Sequence, residues 1–225
     1  MAGFFNLGNF MKTIVYVDGF NLYYRALKKT PYKWLNILEL CKYLLPKDHQ
    51  IVGINYYTAL VNHKIKPTAP RDQKIYLNAL TSTGKVEIHT GTFSYKDKKA
   101  KIANPLYLEP IPTTCDINPP PKFIKITSAE EKGSDVKLGA HLVRDGFQGK
   151  YDCAVVITND SDLAEPIRII KEELKLPIIL LKPCSVALQN LDSKASKIIY
   201  ISEDSLKASQ FPATINGKIK KPADW

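Results

Sequence analysis

A chain of 225 residues with 44% apolar residues can bury a sizeable core as one elaborated α/β domain or two small ones, which excludes a chain disordered throughout. Lys and Arg number 32 against 22 acidic residues, a formal charge of +10, and this excess points to a polyanionic partner, because cations that neutralise phosphates gain from counterion release. Four cysteines, Cys41, Cys115, Cys153 and Cys184, stand far apart without a Cys-x-x-Cys pair or a Cys/His cluster, which disfavours a zinc module and a disulfide scaffold.

Residues 1–11 have no basic residue ahead of their apolar part and are expected to be an extension rather than a signal peptide. No stretch approaches the roughly 20 apolar residues of a transmembrane helix, so no membrane partner is expected. A reducing cytoplasm is the expected setting, with Cys153 and Cys184, beside apolar runs, as buried thiols. The first strand is predicted over 13–17, where β-branched residues run up to Asp18-Gly19. A short helix follows over 21–28, and Leu35, Leu38, Cys41 and Leu45 recur at helical spacing over 34–45 before Pro46. A strand over 51–60, a helix over 70–82 and a strand over 86–93 come next. From 94 to 126 the pattern breaks into prolines (Pro105, Pro110, Pro112, Pro119 to Pro121) and lysines (Lys96, Lys98, Lys99, Lys101, Lys122, Lys125). This stretch reads as a surface insertion with one hairpin around Tyr107, either a solvated loop or a basic flap over a substrate. Its exposed parts are also candidates for a homodimer contact.

Helices are then predicted over 135–147, 163–174 and 185–191, and strands over 152–157, 178–181 and 197–201. Strands alternating with helices, two of them apolar throughout, predict a mainly parallel sheet covered on both faces. The domain is expected to span 12–203, with a tail over 204–225 whose Pro- and Lys-rich part after Phe211 wraps the surface.

The segment VVITNDSDLAEPI, residues 155–167, places Asp160 and Asp162 one residue apart at the end of an apolar strand. Like charges so close are costly unless a helix N-terminus, a basic side chain or a metal ion lies between them. In open parallel sheets chemistry collects at the carboxyl ends of the strands. Asp18 ends the first strand, Asp160 and Asp162 follow a later one, and Asp135 opens the helix between them. Each acid has a structural alternative. Asp18-Gly19 suits a turn, Asp162 with Glu165 matches a capping box, and Asp135 favours a helix start. A cap on Asp162 leaves Asp160 unexplained, however, and Asp135 shares its helix face with Leu138, Gly139 and Leu142. Four converging carboxylates would suit hard Mg²⁺ or Mn²⁺, which can activate a bound water and clamp a scissile phosphate. Asn21, Thr158, Ser161 and Lys132 are candidate supporting residues, able to orient an acid, hydrogen-bond substrate or contact phosphate. The histidines, His49, His63, His89 and His141, show no recognisable spacing, and no serine-hydrolase elbow, P-loop or dinucleotide fingerprint is present.

Three blocks in order, YVDGFNLYY (16–24), EEKGSDVKLGAHLVRDGF (130–147) and AVVITNDSDLAEPI (154–167), resemble the bacterial NYN-domain proteins, in their LabA-like branch, of the PIN-like nuclease superfamily. The resemblance covers residues 12 to about 203. It implies a three-layer α/β/α PIN-like fold and an acidic pocket that binds Mg²⁺ or Mn²⁺ and cleaves RNA with a metal-activated water. By position, the metal and catalytic residues would be Asp18, Asp135, Asp160 and Asp162, with Asn21 and Ser161 supporting. Relatives often carry Ser-Gly where this chain has Thr158-Asn159; Asn tolerates left-handed backbone, so the turn is expected to survive. A non-catalytic RNA-binding adaptor, a small-molecule phosphatase and a DNA-directed nuclease remain open alternatives.

Overall fold

The computed structural model describes residues 10–61, 67–102, 122–223 and 225. Its central sheet has seven strands: β1 (Met11–Asp18), β2 (His49–Ala59), β3 (Val86–Lys101), β4 (Phe123–Lys132), β5 (Cys153–Ile157), β6 (Ile178–Lys182) and β7 (Lys197–Tyr200). They lie in the order β4-β3-β2-β1-β5-β6-β7, and every pairing except β3 with β4 is parallel. Alternation along β1 sends Val15 and Val17 to one face and Ile14 and Tyr16 to the other. The first face packs against α1 (Gly19–Leu22, continued as a π turn over Tyr23–Leu27), α2 (Ile37–Leu44) and α3 (Ala69–Thr81). The second packs against α4 (Ser134–Phe147), α5 (Ala164–Arg168, continued as a π turn over Ile169–Glu173) and α6 (Gln189–Asp192). The result is the three-layer α/β/α arrangement. Strands β5 and β6 are buried along their whole length, as the apolar runs 153–157 and 178–181 require, and the Lys182 that ends β6 is buried against Asp192.

Several local expectations are corrected. The helix predicted over 34–45 begins at Ile37, because the Asn36 side chain accepts from the N–H groups of Leu38 (3.1 Å) and Glu39 (3.4 Å). Trp34 lies instead in a bend and Leu35 bridges Gln210; both are fully buried, Trp34 donating its indole N–H to the Pro212 carbonyl at 2.8 Å. The helix predicted over 185–191 shrinks to α6, because Asp192 accepts the buried Lys182 ammonium (2.7 Å) and the Leu188 N–H (3.2 Å), closing a loop ahead of it. Cys184 is half-buried, whereas Cys41 and Cys153 are buried. The segment after Phe211 adds a small hairpin, β8 (Thr214–Ile215) with β9 (Ile219–Lys220), and brings Trp225 against Trp34 and Tyr76. No helix among the described residues is long and apolar enough to cross a membrane.

The largest departure lies in the stretch read as an irregular insertion. Residues 94–101 and 123–126 are strand. Beyond Gly91, β3 leaves β2 and pairs with β4 alone, from Thr92 opposite Lys132 to Lys101 opposite Phe123. This two-stranded ribbon is largely exposed and held by cross-strand pairs, Lys125 with Asp97 (2.9 Å) and Lys98 with Glu130 (3.0 Å). The hairpin expected around Tyr107, and Cys115, fall outside the described residues. Because β3 passes the carboxyl end of β2 before the ribbon begins, the lysine-bearing arm rises from the carboxyl-end side of the sheet. β4 returns the chain to α4 through Gly133, whose φ of +91° suits glycine best.

Besides the Lys182–Asp192 pair, the second face buries the carboxylate of Asp145. Asp145 accepts from the Tyr16 hydroxyl (2.9 Å), the Arg144 guanidinium (2.7 Å) and the Lys150 ammonium (3.0 Å). Burial pushes its carboxyl up, but these donors outweigh it and hold the pKa below the usual carboxylate value. Arg144 and Lys150 are half-exposed, whereas Tyr16 is fully buried, so Asp145→Ala would strand the tyrosine hydroxyl. A loss of about 1–3 kcal/mol is expected in urea unfolding, with a smaller loss for Asp145→Asn. Equal midpoints for wild type and Asp145→Ala would refute this account.

Candidate active site

The strand order reverses between β1 and β5: β2 and β3 build outward on one side, β6 and β7 on the other. A crevice opens outside the carboxyl ends of two such strands, where ligands bind in open α/β sheets. Asp18 closes β1, and Thr158 to Asp162 follow β5, so both segments flank this crevice.

Asp18 is 5% exposed and fully engaged. One carboxylate oxygen accepts from the Asn21 N–H (2.9 Å), capping α1; the other accepts from the Thr158 hydroxyl (3.0 Å). The same Thr158 hydroxyl accepts from the Asp160 N–H (3.0 Å), so one buried threonine spaces the two acids. Asn21 completes the lock, its side-chain oxygen accepting from the Asn159 N–H (2.9 Å). Asn159 does not adopt the left-handed backbone that its type allows; it is held by Asn21 instead. The expected N-cap is displaced as well. Asp160, not Asp162, caps the 3₁₀ turn Ser161–Leu163 by accepting from the Asp162 N–H (3.0 Å). Glu165 is taken by Arg168 (2.7 Å), so no capping box forms.

Asp135 enters from α4. It is half-buried, on the side of the helix where Leu138, Gly139 and Leu142 are buried. Burial, then the charges of Asp160, Glu131 and Asp162, raise its pKa to about 6. Burial raises Asp18 to about 7, with Asp135 and Asp160 adding to the rise and the hydrogen bonds from Asn21 and Thr158 opposing it. The structure therefore brings Asp18 within electrostatic reach of Asp135 and Asp160, and Asp135 within reach of Asp160 and Asp162. It adds Glu131, four residues before Asp135, whose carboxylate accepts from the Ser134 N–H (3.2 Å). Glu131 was visible in the Glu-Glu-Lys-Gly-Ser-Asp block but had no spacing rule to single it out. Lys132 leans toward Glu130 on the ribbon, at 3.9 Å, and Ser161 is exposed. His89 and His141, unrelated in spacing, meet at 4.8 Å beside Tyr57 on the α4 face; burial lowers both pKa values.

Among the described residues, no three His, Cys, Asp or Glu side chains are drawn to metal-coordinating distance in this conformation. The oxygens of Asp18 and Asp160 face their hydrogen-bond donors instead. The donor chemistry nevertheless fits a hard divalent cation. The acids are all carboxylates, their charges work against one another, and the Asn159 side-chain oxygen beside them is buried without a hydrogen-bond partner.

Gly19 permits this geometry. A Cβ there would lie 2.6 Å from the Tyr56 ring and 2.7 Å from the Tyr57 carbonyl, so only glycine lets α1 start this close to β2. Gly19→Ala is expected to cost about 1–3 kcal/mol, the usual range for overpacking, read as a lowered unfolding midpoint. An unchanged midpoint would show that α1 can shift without strain.

Residues 12–202 match the NYN domain family. The chain belongs to that family, a branch of the PIN-like nuclease superfamily. This NYN protein is also 29% identical to the 6-hydroxy-3-succinoylpyridine 3-monooxygenase HspA of Pseudomonas putida, an alignment covering 96% of this chain and 75% of the relative. Among solved structures it resembles VPA0982, a Vibrio parahaemolyticus protein of unknown function, with a TM-score of 0.57 at 15% identity. That match covers 87% of this chain and 96% of the other, and supports the fold alone.

Proposed function

We propose that this NYN protein is a metal-dependent endoribonuclease acting on RNA in the cytoplasm. Asp18, Asp135, Asp160 and Asp162 would hold Mg²⁺ or Mn²⁺. The supporting observation is the set of carboxylates at the strand-order switch, whose charges help to raise the pKa values of Asp18 and Asp135, at the end of the sheet from which a lysine-bearing ribbon rises. When bound, the cation supplies a water of lowered pKa and neutralises charge on the scissile phosphate. Thr158 and Asn21 hold the two acidic loops at a fixed separation, so the carboxylates are organised before substrate arrives. Lysines of the ribbon contact the backbone away from the cut, where their charge aids binding without opposing the acids.

The test is incubation of labelled single-stranded RNA, structured RNA and DNA with Mg²⁺, Mn²⁺ or EDTA, beside Asp160→Asn. Cutting of RNA that disappears in EDTA and in the variant supports the assignment. Salt-sensitive binding without cutting would replace it with the adaptor function. A second assignment, oxygenation of a small aromatic acid, is favoured by the name of the Pseudomonas relative together with an aromatic-lined cavity beside Asp18. It predicts consumption of a hydroxypyridine substrate and no loss of RNA.

A further inference from the structure

Between the turn after α1, the carboxyl end of β2 and the first half of α3 lies a cavity of about 420 Å³. That volume falls within the roughly 300–1,000 Å³ of small-ligand sites. Among the described residues, six aromatic side chains line it, Phe20, Tyr23, Tyr24, Tyr56, Tyr76 and Trp225, drawn from separate parts of the chain. It adjoins the carboxylates. Gly19 lines it directly after Asp18, and the charge of Asp18 reaches the Tyr56 hydroxyl. Two cations and a carboxylate lie on the same lining; the carboxylate, Asp72, is buried and accepts from the Arg71 guanidinium at 3.1 Å. Lys28 sits 4.7 Å over the Tyr24 ring, and Lys33 is half-buried in the wall; neither has a carboxylate partner among the described residues.

These features select a ligand class. Flat aromatic walls favour a planar ring, which gains dispersion and stacking on its faces. Two ammonium groups unpaired with any carboxylate among the described residues, on a wall whose acid is already taken by Arg71, favour an anion attached to that ring. A plain hydrocarbon would leave the lysines unanswered, and a bare phosphate would leave the aromatic walls uncovered. The aromatic surface also continues outward: Phe20 stacks with Tyr24 at 6.3 Å and meets Phe93 at the ribbon root edge-on at 5.6 Å. Aromatic platforms interleaved with cations are how proteins hold single-stranded nucleic acid without reading its sequence.

We propose that this cavity receives a planar heteroaromatic ring bearing an anionic arm, with the ring against the tyrosines and the arm at Lys28 and Lys33. In a polynucleotide the ring is one unpaired base and the arm its phosphate. That form rests on the nuclease function proposed above, and it requires the substrate to be single-stranded at the cut, with the adjoining phosphodiester beside Asp18. The same ring-and-anion chemistry is offered by a free nucleotide or a free heteroaromatic acid.

Binding is measured in EDTA, so that it is read apart from cleavage. The chain has two tryptophans, and of these Trp225 lines the cavity, which makes fluorescence a reporter of occupancy. The probes are a labelled single-stranded RNA oligonucleotide, the same oligonucleotide with abasic positions, its duplex, uridine 5′-monophosphate and pyridine-3-carboxylate. The variants are Ala69→Phe, which fills the cavity, and Tyr24→Ala at a 54% exposed position, which keeps the test usable if the first fails to fold. Abasic substitution, duplex formation and either variant should each weaken oligonucleotide binding by about ten-fold. If instead a free small molecule is the occupant, pyridine-3-carboxylate or the mononucleotide quenches fluorescence, both variants abolish the quenching, and oligonucleotides show no preference for bases. The inference is overturned if abasic and intact oligonucleotides bind alike and neither small molecule perturbs the fluorescence. Intact cleavage with that result leaves the nuclease assignment standing alone. Base-dependent binding without cleavage in Mg²⁺ or Mn²⁺ leaves the ring site standing alone.

Discussion

Asp160→Asn is expected to lower metal-dependent RNA cleavage by at least about 100-fold while leaving the fold intact. Losing a residue that merely orients a metal ligand typically costs about 10–100-fold, so removing a ligand charge should cost more. The fold survives because asparagine caps as well as aspartate. Its side-chain oxygen can accept from the Asp162 N–H as the carboxylate does. The substitution also removes a charge that raises the pKa values of both Asp18 and Asp135. The metal-free variant should therefore be no less stable than wild type. Single-turnover cleavage and thermal unfolding, run on one preparation, decide the matter. Cleavage retained within a few-fold would remove Asp160 from the metal site; cleavage lost together with the fold would make it a structural cap.

Asp18→Asn is expected to stabilise the metal-free protein at pH 8 by roughly 3 kcal/mol, with the advantage vanishing near pH 4. Burial comes first among the causes that raise the Asp18 pKa from 3.8 to about 7. A carboxyl raised in the folded state holds its proton where the unfolded chain has released it. Its contribution to stability is therefore fully present below about pH 4 and is lost as pH rises to about 7. Each tenfold gain in proton affinity is worth about 1.36 kcal/mol, so this rise sets an upper scale of about 4 kcal/mol. Asparagine carries no charge to desolvate, keeps an oxygen for the Asn21 N–H and offers an N–H to Thr158. For a chain of this size, about 3 kcal/mol corresponds to a Tm difference on the order of 5–10 °C. A divalent cation should raise the wild-type Tm at pH 8 by neutralising the same charge, and should do little for Asp18→Asn. A constant Tm difference between pH 4 and 8 would contradict the pKa assignment, and equal cation effects on both proteins would place the ion elsewhere.

Much of the architecture follows from short-range pattern. The β-branched run of β1 and the unbroken apolar runs of β5 and β6 identify strands that must be covered on both faces, and alternation with helices makes the sheet parallel. Asp18, Asp135, Asp160 and Asp162 are also conspicuous in the sequence, each at a strand end or helix start. The ribbon was not. Residues 92–101 and 123–132 carry lysines and little apolar alternation, and they hold as strands through partners such as Asp97 with Lys125 that are distant in sequence and become neighbours only when β3 and β4 pair. The capping exchange between Asp160 and Asp162 was hidden for a related reason. Local sequence favours Asp162 with Glu165, but Thr158 is anchored to Asp18 across the strand switch, and its hydroxyl takes the Asp160 N–H.

Residue types and their spacing along one chain determined which elements form and which carboxylates stand at their ends, because periodicity and capping act within a few residues. Only the tertiary structure decided how Asn21 meets Asn159, that Glu131 joins Asp135, and that rings from Phe20 to Trp225 enclose one cavity. Those contacts arise from strand order and layer packing, which bring together segments with no periodic relation to each other.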